Sequence, residues 1–146
     1  MGFFNRFLSP RGSALPEQAF QVLLFGPAVA RISIAGKDAD AELKALAGAV
    51  EALGFPQGFS FDRVCATAAE VVRQIRIDGI SGFTDRMKTE LTDREKGDAM
   101  RLALVAVVRA PQGDAGDLGI LLGMAEYIGM SRSEFRALRE ACKAFG

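Results

Sequence analysis

The residues of this chain that could do chemistry are carboxylates in two short segments, each just before an amphipathic stretch. The first segment carries Asp38, Asp40 and Glu42, and the second carries Asp114 and Asp117. Brought together, these carboxylates would form an oxygen-rich site suited to a hard divalent cation such as Ca²⁺ or Mg²⁺. The same residues lie where helices should begin, so helix capping is the competing interpretation. We prefer capping, because it explains each segment without a ligand.

The composition excludes most other catalytic chemistry. The chain of 146 residues contains no His, so it cannot form a Ser-His-Asp triad, a Cys-His pair or an imidazole zinc site. Cys65 and Cys142 are far apart and are both predicted to pack in the core of a cytoplasmic protein. Lys and Arg total 18, as do Asp and Glu, so the net charge is zero and nucleic acid is not an expected partner. We therefore expect a protein without enzymatic activity.

Hydrophobic periodicity predicts an all-α fold, a compact bundle of about seven helices. Apolar residues recur with helical spacing, and no run alternates with a period of two for long. Gly26-Pro27 is predicted to bend or restart the first helix, and Asp78-Gly79 to end the third. A chain of this length forms one domain, which we place at residues 1–146. The predicted helices cover about residues 16–35, 39–53, 61–77, 83–90, 92–108, 115–128 and 131–145.

Residues 28–55 and 103–130 form an internal repeat. Each copy contains an apolar helix, a short acidic loop, an amphipathic helix and a terminal glycine. We predict two helix hairpins that pack face to face with pseudo-twofold symmetry, which would bring the acidic loops together. Gly48 and Gly123 would permit close approach of helices. With the chain shifted by 75 residues, identities fall at Leu43/Leu118, Leu46/Leu121, Gly48/Gly123, Glu51/Glu126 and Gly54/Gly129.

Two further amphipathic features could contact a partner. Residues 1–15 form an amphipathic segment with Phe3, Phe4, Phe7 and Leu8 on one helical side; this side either packs on its own domain, which we prefer, or contacts a membrane peripherally. The last helix has a cationic side, which is either a solvated surface, the reading we prefer, or a contact for anionic lipid or an acidic partner. This side comprises Arg132, Arg136, Arg139 and Lys143. The longest uncharged stretch, residues 18–30, is too short to span a bilayer and is predicted to be a buried helix.

Three features of the chain point to one known family: the repeated unit of helix, acidic loop and helix, the Phe-rich start MGFFNRF, and the segments LALVAVV and MAEYIGMSRSEFRAL. In these features the chain resembles the TerB family of tellurite-resistance proteins. The resemblance covers nearly the whole chain. It implies a compact all-α fold with two related halves, no catalytic activity, a carboxylate cluster for a divalent cation and association with membrane-embedded resistance components. A similar domain occurs in membrane-anchored DnaJ-like co-chaperones. The family's loops usually open with Asp-Gly, where this chain has Ala35-Gly36 and Ala110-Pro111.

Together, the residues and the resemblance predict a cytoplasmic accessory protein in tellurite, metal or envelope stress, which could also lie peripherally at the inner face of the membrane. It would dock on a protein partner, which the resemblance places in the membrane. A divalent cation would act as a regulator, with Asp38, Asp40, Glu42, Asp114 and Asp117 as the predicted ligands. Two alternatives stay open: a helical carrier of a small molecule or lipid in an apolar pocket between the halves, and a co-chaperone-type interaction module. The sequence carries no signal for the oligomeric state.

Overall fold

The computed structural model describes residues 15–36, 38–54, 59–111 and 115–146. Within these ranges the chain forms six α-helices and one short 3₁₀-helix, Lys143–Phe145, and no strand. The all-α prediction is confirmed, whereas the predicted amphipathic segment at the N-terminus lies almost wholly outside the described residues. The α-helices are α1 (Glu17–Ala35), α2 (Ala39–Ala52), α3 (Phe61–Glu90), α4 (Asp93–Arg109), α5 (Ala115–Tyr127) and α6 (Arg132–Cys142).

Capping chemistry sets where α4 and α6 begin. The hydroxyls of Thr92 and Ser131 each accept a hydrogen bond from the backbone N–H three residues later. In return, the carboxylates of Glu95 and Glu134 accept hydrogen bonds from the backbone N–H of Thr92 at 2.8 Å and of Ser131 at 3.0 Å. These reciprocal bonds satisfy amides that have no partner inside the helix. Both helix starts therefore agree with the sequence prediction.

The prediction of about seven helices differs from the structure at Gly79, which interrupts the backbone path inside α3. Gly79 has φ 75° and ψ 165°, a backbone conformation essentially restricted to glycine. The helical path resumes directly after it, so the predicted helices 61–77 and 83–90 are two parts of α3. One hydrogen bond links the two parts: the guanidinium of Arg86, after the break, donates to the side-chain oxygen of Gln74, before it, at 2.8 Å.

Helices α1 and α4 form the centre of the bundle. They pack against each other, while α3 covers α1 and α2 covers α4. Helix α1 is buried almost continuously from Val22 to Ile32, and it runs through Pro27 as a single helix. Of the described helices, only α1 is long and apolar enough to cross a membrane, and 67% of its apolar window is buried within the bundle. This burial confirms the prediction of a buried helix in residues 18–30.

Close packing of helices occurs at Gly26, not at the repeated glycines. A Cβ atom on Gly26 would overlap the ring of Phe83 and would lie 3.2 Å from the sulfur of Met87. A Cβ atom on Gly48 would meet Arg109 at an ordinary 3.5 Å, and one on Gly123 would have no described atom within 4 Å. The prediction that Gly48 and Gly123 permit close helix approach is therefore wrong.

Candidate functional site

One carboxylate from each acidic segment of the repeat contacts Arg31, in the last part of α1. The Arg31 side chain is fully buried, with a relative accessibility of 0%. Its guanidinium forms ion pairs with Glu42 of α2 and with Asp117 of α5, where Nη1 lies 3.3 Å from Oδ1 of Asp117. Glu42 and Asp117 occupy equivalent positions in the two copies of the repeat, and both are buried. We call these three residues the ion triad.

The surroundings of the ion triad explain how charged groups can be buried there. One guanidinium and two carboxylates leave one excess negative charge. Glu42 and Asp117 each lie in the first turn of their helix, where unpaired amides and the helix dipole contribute about half a positive charge per helix. The starts of α2 and α5 together therefore offset the excess, and one residue of α1 holds both helices.

Sequence analysis identified the two carboxylates of the ion triad but missed Arg31. The available signal was a single basic residue at the end of the longest uncharged stretch of the chain. A basic residue inside an otherwise apolar helix should be buried, and a buried guanidinium requires carboxylate partners. That reasoning leads from Arg31 to the acidic loops.

Asp38 and Asp40, the other predicted metal ligands of the first acidic segment, do not contact Arg31. Asp38 is the N-cap of α2, where its Oδ1 accepts a hydrogen bond from the backbone N–H of Asp40 at 3.1 Å. Asp38 and Asp40 are both exposed, and Asp114 lies outside the described residues. Among the described residues, no three carboxylates or thiols are grouped so that they could hold a metal ion. Glu42 and Asp117 pair with a guanidinium, whose positive charge would repel a divalent cation from these two carboxylates.

Buried polar groups elsewhere also have structural contacts. Asp98 of α4 accepts a hydrogen bond from Arg101 at 2.8 Å, and the thiol of Cys142 lies 3.9 Å from the backbone oxygen of Arg101. Burial raises the pKa of Cys142 to about 11, so the thiol stays protonated and unreactive at neutral pH. The predicted core position is confirmed for Cys142, whereas Cys65 is only half-buried.

The cationic side of the last helix faces solvent. Phe135 and Cys142 form the opposite, buried side, which packs on α4. Arg132 pairs with Glu126 at 3.0 Å, and Lys143 pairs with Glu140 at 2.8 Å. The remaining two guanidiniums, exposed on Arg136 and half-buried on Arg139, contact no carboxylate of the described residues.

Comparisons of the chain with protein-family models, with curated proteins and with solved structures find no match.

Proposed function

We propose that this protein is a non-enzymatic binding module of the TerB type. It acts in the cytoplasm, in tellurite, metal or envelope stress, by docking on a protein partner that is either soluble or embedded in the membrane. The observation that carries this proposal is the ion triad, because equivalent carboxylates of the two repeat copies meet at one residue. Such a meeting point is expected of the duplicated architecture that the resemblance implies.

We propose also that residues 28–55 and 103–130 are related halves of a pseudo-twofold bundle. Local structure supports this at equivalent positions. Gly54 and Gly129 both have positive φ, 80° and 103°, directly after their amphipathic helices. Their backbone N–H groups donate to the backbone carbonyl oxygens of Glu51 and Glu126 respectively, each at 3.1 Å. Leu46 and Leu121, one turn beyond the carboxylates of the ion triad, are both fully buried.

The contacts of the buried carboxylates favour a binding role over catalysis. Glu42 and Asp117 contact Arg31, Asp98 contacts Arg101, and Glu95 belongs to the capping box of α4. Groups held in this way stabilise the bundle and are shielded from a substrate. The surface that remains for function is the solvent side of the helices, where the cationic side of the last helix offers charge to an acidic partner or an anionic membrane.

Charge reversal on that side tests the docking role. Arg136→Glu is expected to lower the share of the protein recovered with its partner or with the membrane fraction at least about fivefold, because each basic group near an anionic surface contributes on the order of 1 kcal/mol. The measurement is quantitative fractionation of cells that carry the variant as their only copy, together with growth in tellurite. Arg76→Glu, an exposed arginine of α3, makes the same change in net charge and is expected to behave as wild type. Equal fractionation and equal growth of the two variants would contradict the proposal.

We propose that a divalent cation binds only weakly, through the exposed carboxylates of Asp38 and Asp40. Titration calorimetry of the wild type with Ca²⁺, Mg²⁺ and Zn²⁺ is expected to show no saturable binding below millimolar concentration, because the guanidinium of Arg31 already pairs with Glu42 and Asp117. Asp38→Asn/Asp40→Asn is the matched variant and should abolish any remaining millimolar heat. Micromolar binding that Glu42→Gln removes would show that the acidic loops bind a cation despite Arg31.

A further inference from the structure

A cavity of about 400 Å³ lies between α4, α5 and α6. Its wall is mostly apolar and includes Leu104, Val107, Val108 and Leu118. Two cationic side chains, Arg139 and Lys143, complete the lining. The volume falls within the range of roughly 300–1,000 Å³ that small-molecule sites occupy in proteins. The cavity therefore combines an apolar wall with positive charge supplied from one side.

The two cations are not equivalent. Lys143 is bound to Glu140, whereas Arg139 is half-buried and contacts no carboxylate of the described residues. No carboxylate is among the described residues that line the cavity. A partly desolvated guanidinium beside an apolar wall is complementary to an anion with a hydrophobic body, since a carboxylate can accept two parallel hydrogen bonds from it.

We propose that this cavity binds the monoanion of a medium-chain fatty acid, with the carboxylate on Arg139 and the alkyl chain along the wall of α4 and α5. The guanidinium of Arg139 forms no ion pair with a described carboxylate, so its N–H groups can bind one monoanion. The apolar wall favours an alkyl chain over an acidic peptide, whose side chains would leave that wall unfilled. This ligand site is separate from the ion triad, and it shares Arg139 and Lys143 with the cationic side of the last helix.

The probe is decanoate, measured by titration calorimetry below its micelle concentration, with 1-decanol as the uncharged analogue. We expect decanoate to bind with one-to-one stoichiometry and decanol to bind about tenfold more weakly, because decanol lacks the charge-assisted hydrogen bonds. Arg139→Met keeps the aliphatic part of the side chain and should reduce decanoate affinity about tenfold while leaving decanol affinity unchanged. Arg136→Met, on the same helix but outside the cavity, removes the same charge and should leave both affinities unchanged.

A variant that fills part of the cavity tests where the ligand binds, separately from the role of the Arg139 charge. Ala115 is exposed at the start of α5 and lines the cavity, so Ala115→Phe should weaken decanoate and decanol alike without disturbing the core. Circular dichroism melting of each variant confirms that it is folded. The proposal is overturned if decanoate gives no saturable heat, if decanoate and decanol bind equally, or if Arg136→Met and Arg139→Met lose the same affinity. Binding to phosphatidylglycerol vesicles without binding to decanoate would also overturn it, in favour of a membrane contact.

Discussion

Arg31→Met is expected to lower the free energy of unfolding by about 3–5 kcal/mol, because it leaves the carboxylates of Glu42 and Asp117 buried without their counter-charge. The loss would be measured by urea denaturation monitored by circular dichroism. Arg73→Met is the matched control, because Arg73 forms an exposed ion pair with Glu70. This substitution should leave the free energy of unfolding unchanged within measurement error.

A triple variant separates loss of charge balance from loss of packing. Arg31→Met/Glu42→Gln/Asp117→Asn replaces the ion triad with neutral side chains of similar size. It should recover most of the stability that Arg31→Met loses, since neutral replacements of buried ion pairs are often tolerated. If the triple variant is as unstable as the single one, the ion triad is not held by charge balance.

The same substitution should create a dependence on divalent cations. Without the guanidinium, Glu42 and Asp117 become two adjacent carboxylates at the starts of α2 and α5, and a cation could replace the lost charge. Millimolar Ca²⁺ or Mg²⁺ should therefore raise the melting temperature of Arg31→Met and leave that of the wild type unchanged. An equal response of both proteins would show that Arg31 does not exclude the cation.

The second large effect is expected at the contact between α1 and α3. Phe83 is fully buried, and its ring lies where a Cβ atom on Gly26 would stand. Phe83→Ala should cost about 3–5 kcal/mol of unfolding free energy, as for other large aromatic-to-alanine changes in cores. Gly26→Ala alone should cost about 1–3 kcal/mol, because the added methyl group would overlap a fully buried ring.

A double-mutant cycle tests whether these two costs share one cause. In the background of Phe83→Ala, the added methyl group of Gly26→Ala no longer meets a ring, so the substitution should become neutral or stabilising. Gly123→Ala is the matched control: it lies in a helix with no described neighbour near the added methyl group and should stabilise the protein by about 1 kcal/mol through helix propensity alone. Additive costs of Gly26→Ala and Phe83→Ala would argue against direct contact as the cause.

The sequence predicted the helices better than it predicted the contacts between them. Thr92 and Ser131 start their helices through hydrogen bonds that reach only three residues along the chain. Both partners of each bond therefore lie within a four-residue sequence motif, which can be recognised without the structure. Gly79 was correctly identified as a break but not as a kink inside one long element. The contact of Arg86 with Gln74 across the break was not predicted, because the two residues lie 12 positions apart in the chain.

The candidate site likewise combines residues that the sequence predicted with a contact that it did not predict. The repeat led to Glu42 and Asp117 as paired positions, and the structure does bring them together. Their partner was not predicted, because Arg31 has no counterpart in the second copy, where Ala106 stands at the equivalent position. Sequence similarity between the copies could not reveal a residue that only one of them contains.

Hydrophobic periodicity and capping residues were therefore sufficient for the all-α class and for the starts of α4 and α6, since these depend on neighbours within about a helical turn. Composition alone excluded imidazole chemistry. The packing of α1, α2 and α5 decided that two loop carboxylates bind a buried arginine. It also placed the close helix contact at Gly26 instead of at the repeated glycines. Those outcomes depend on residues far apart in the chain, and their distances are set only when the helices assemble around a common core.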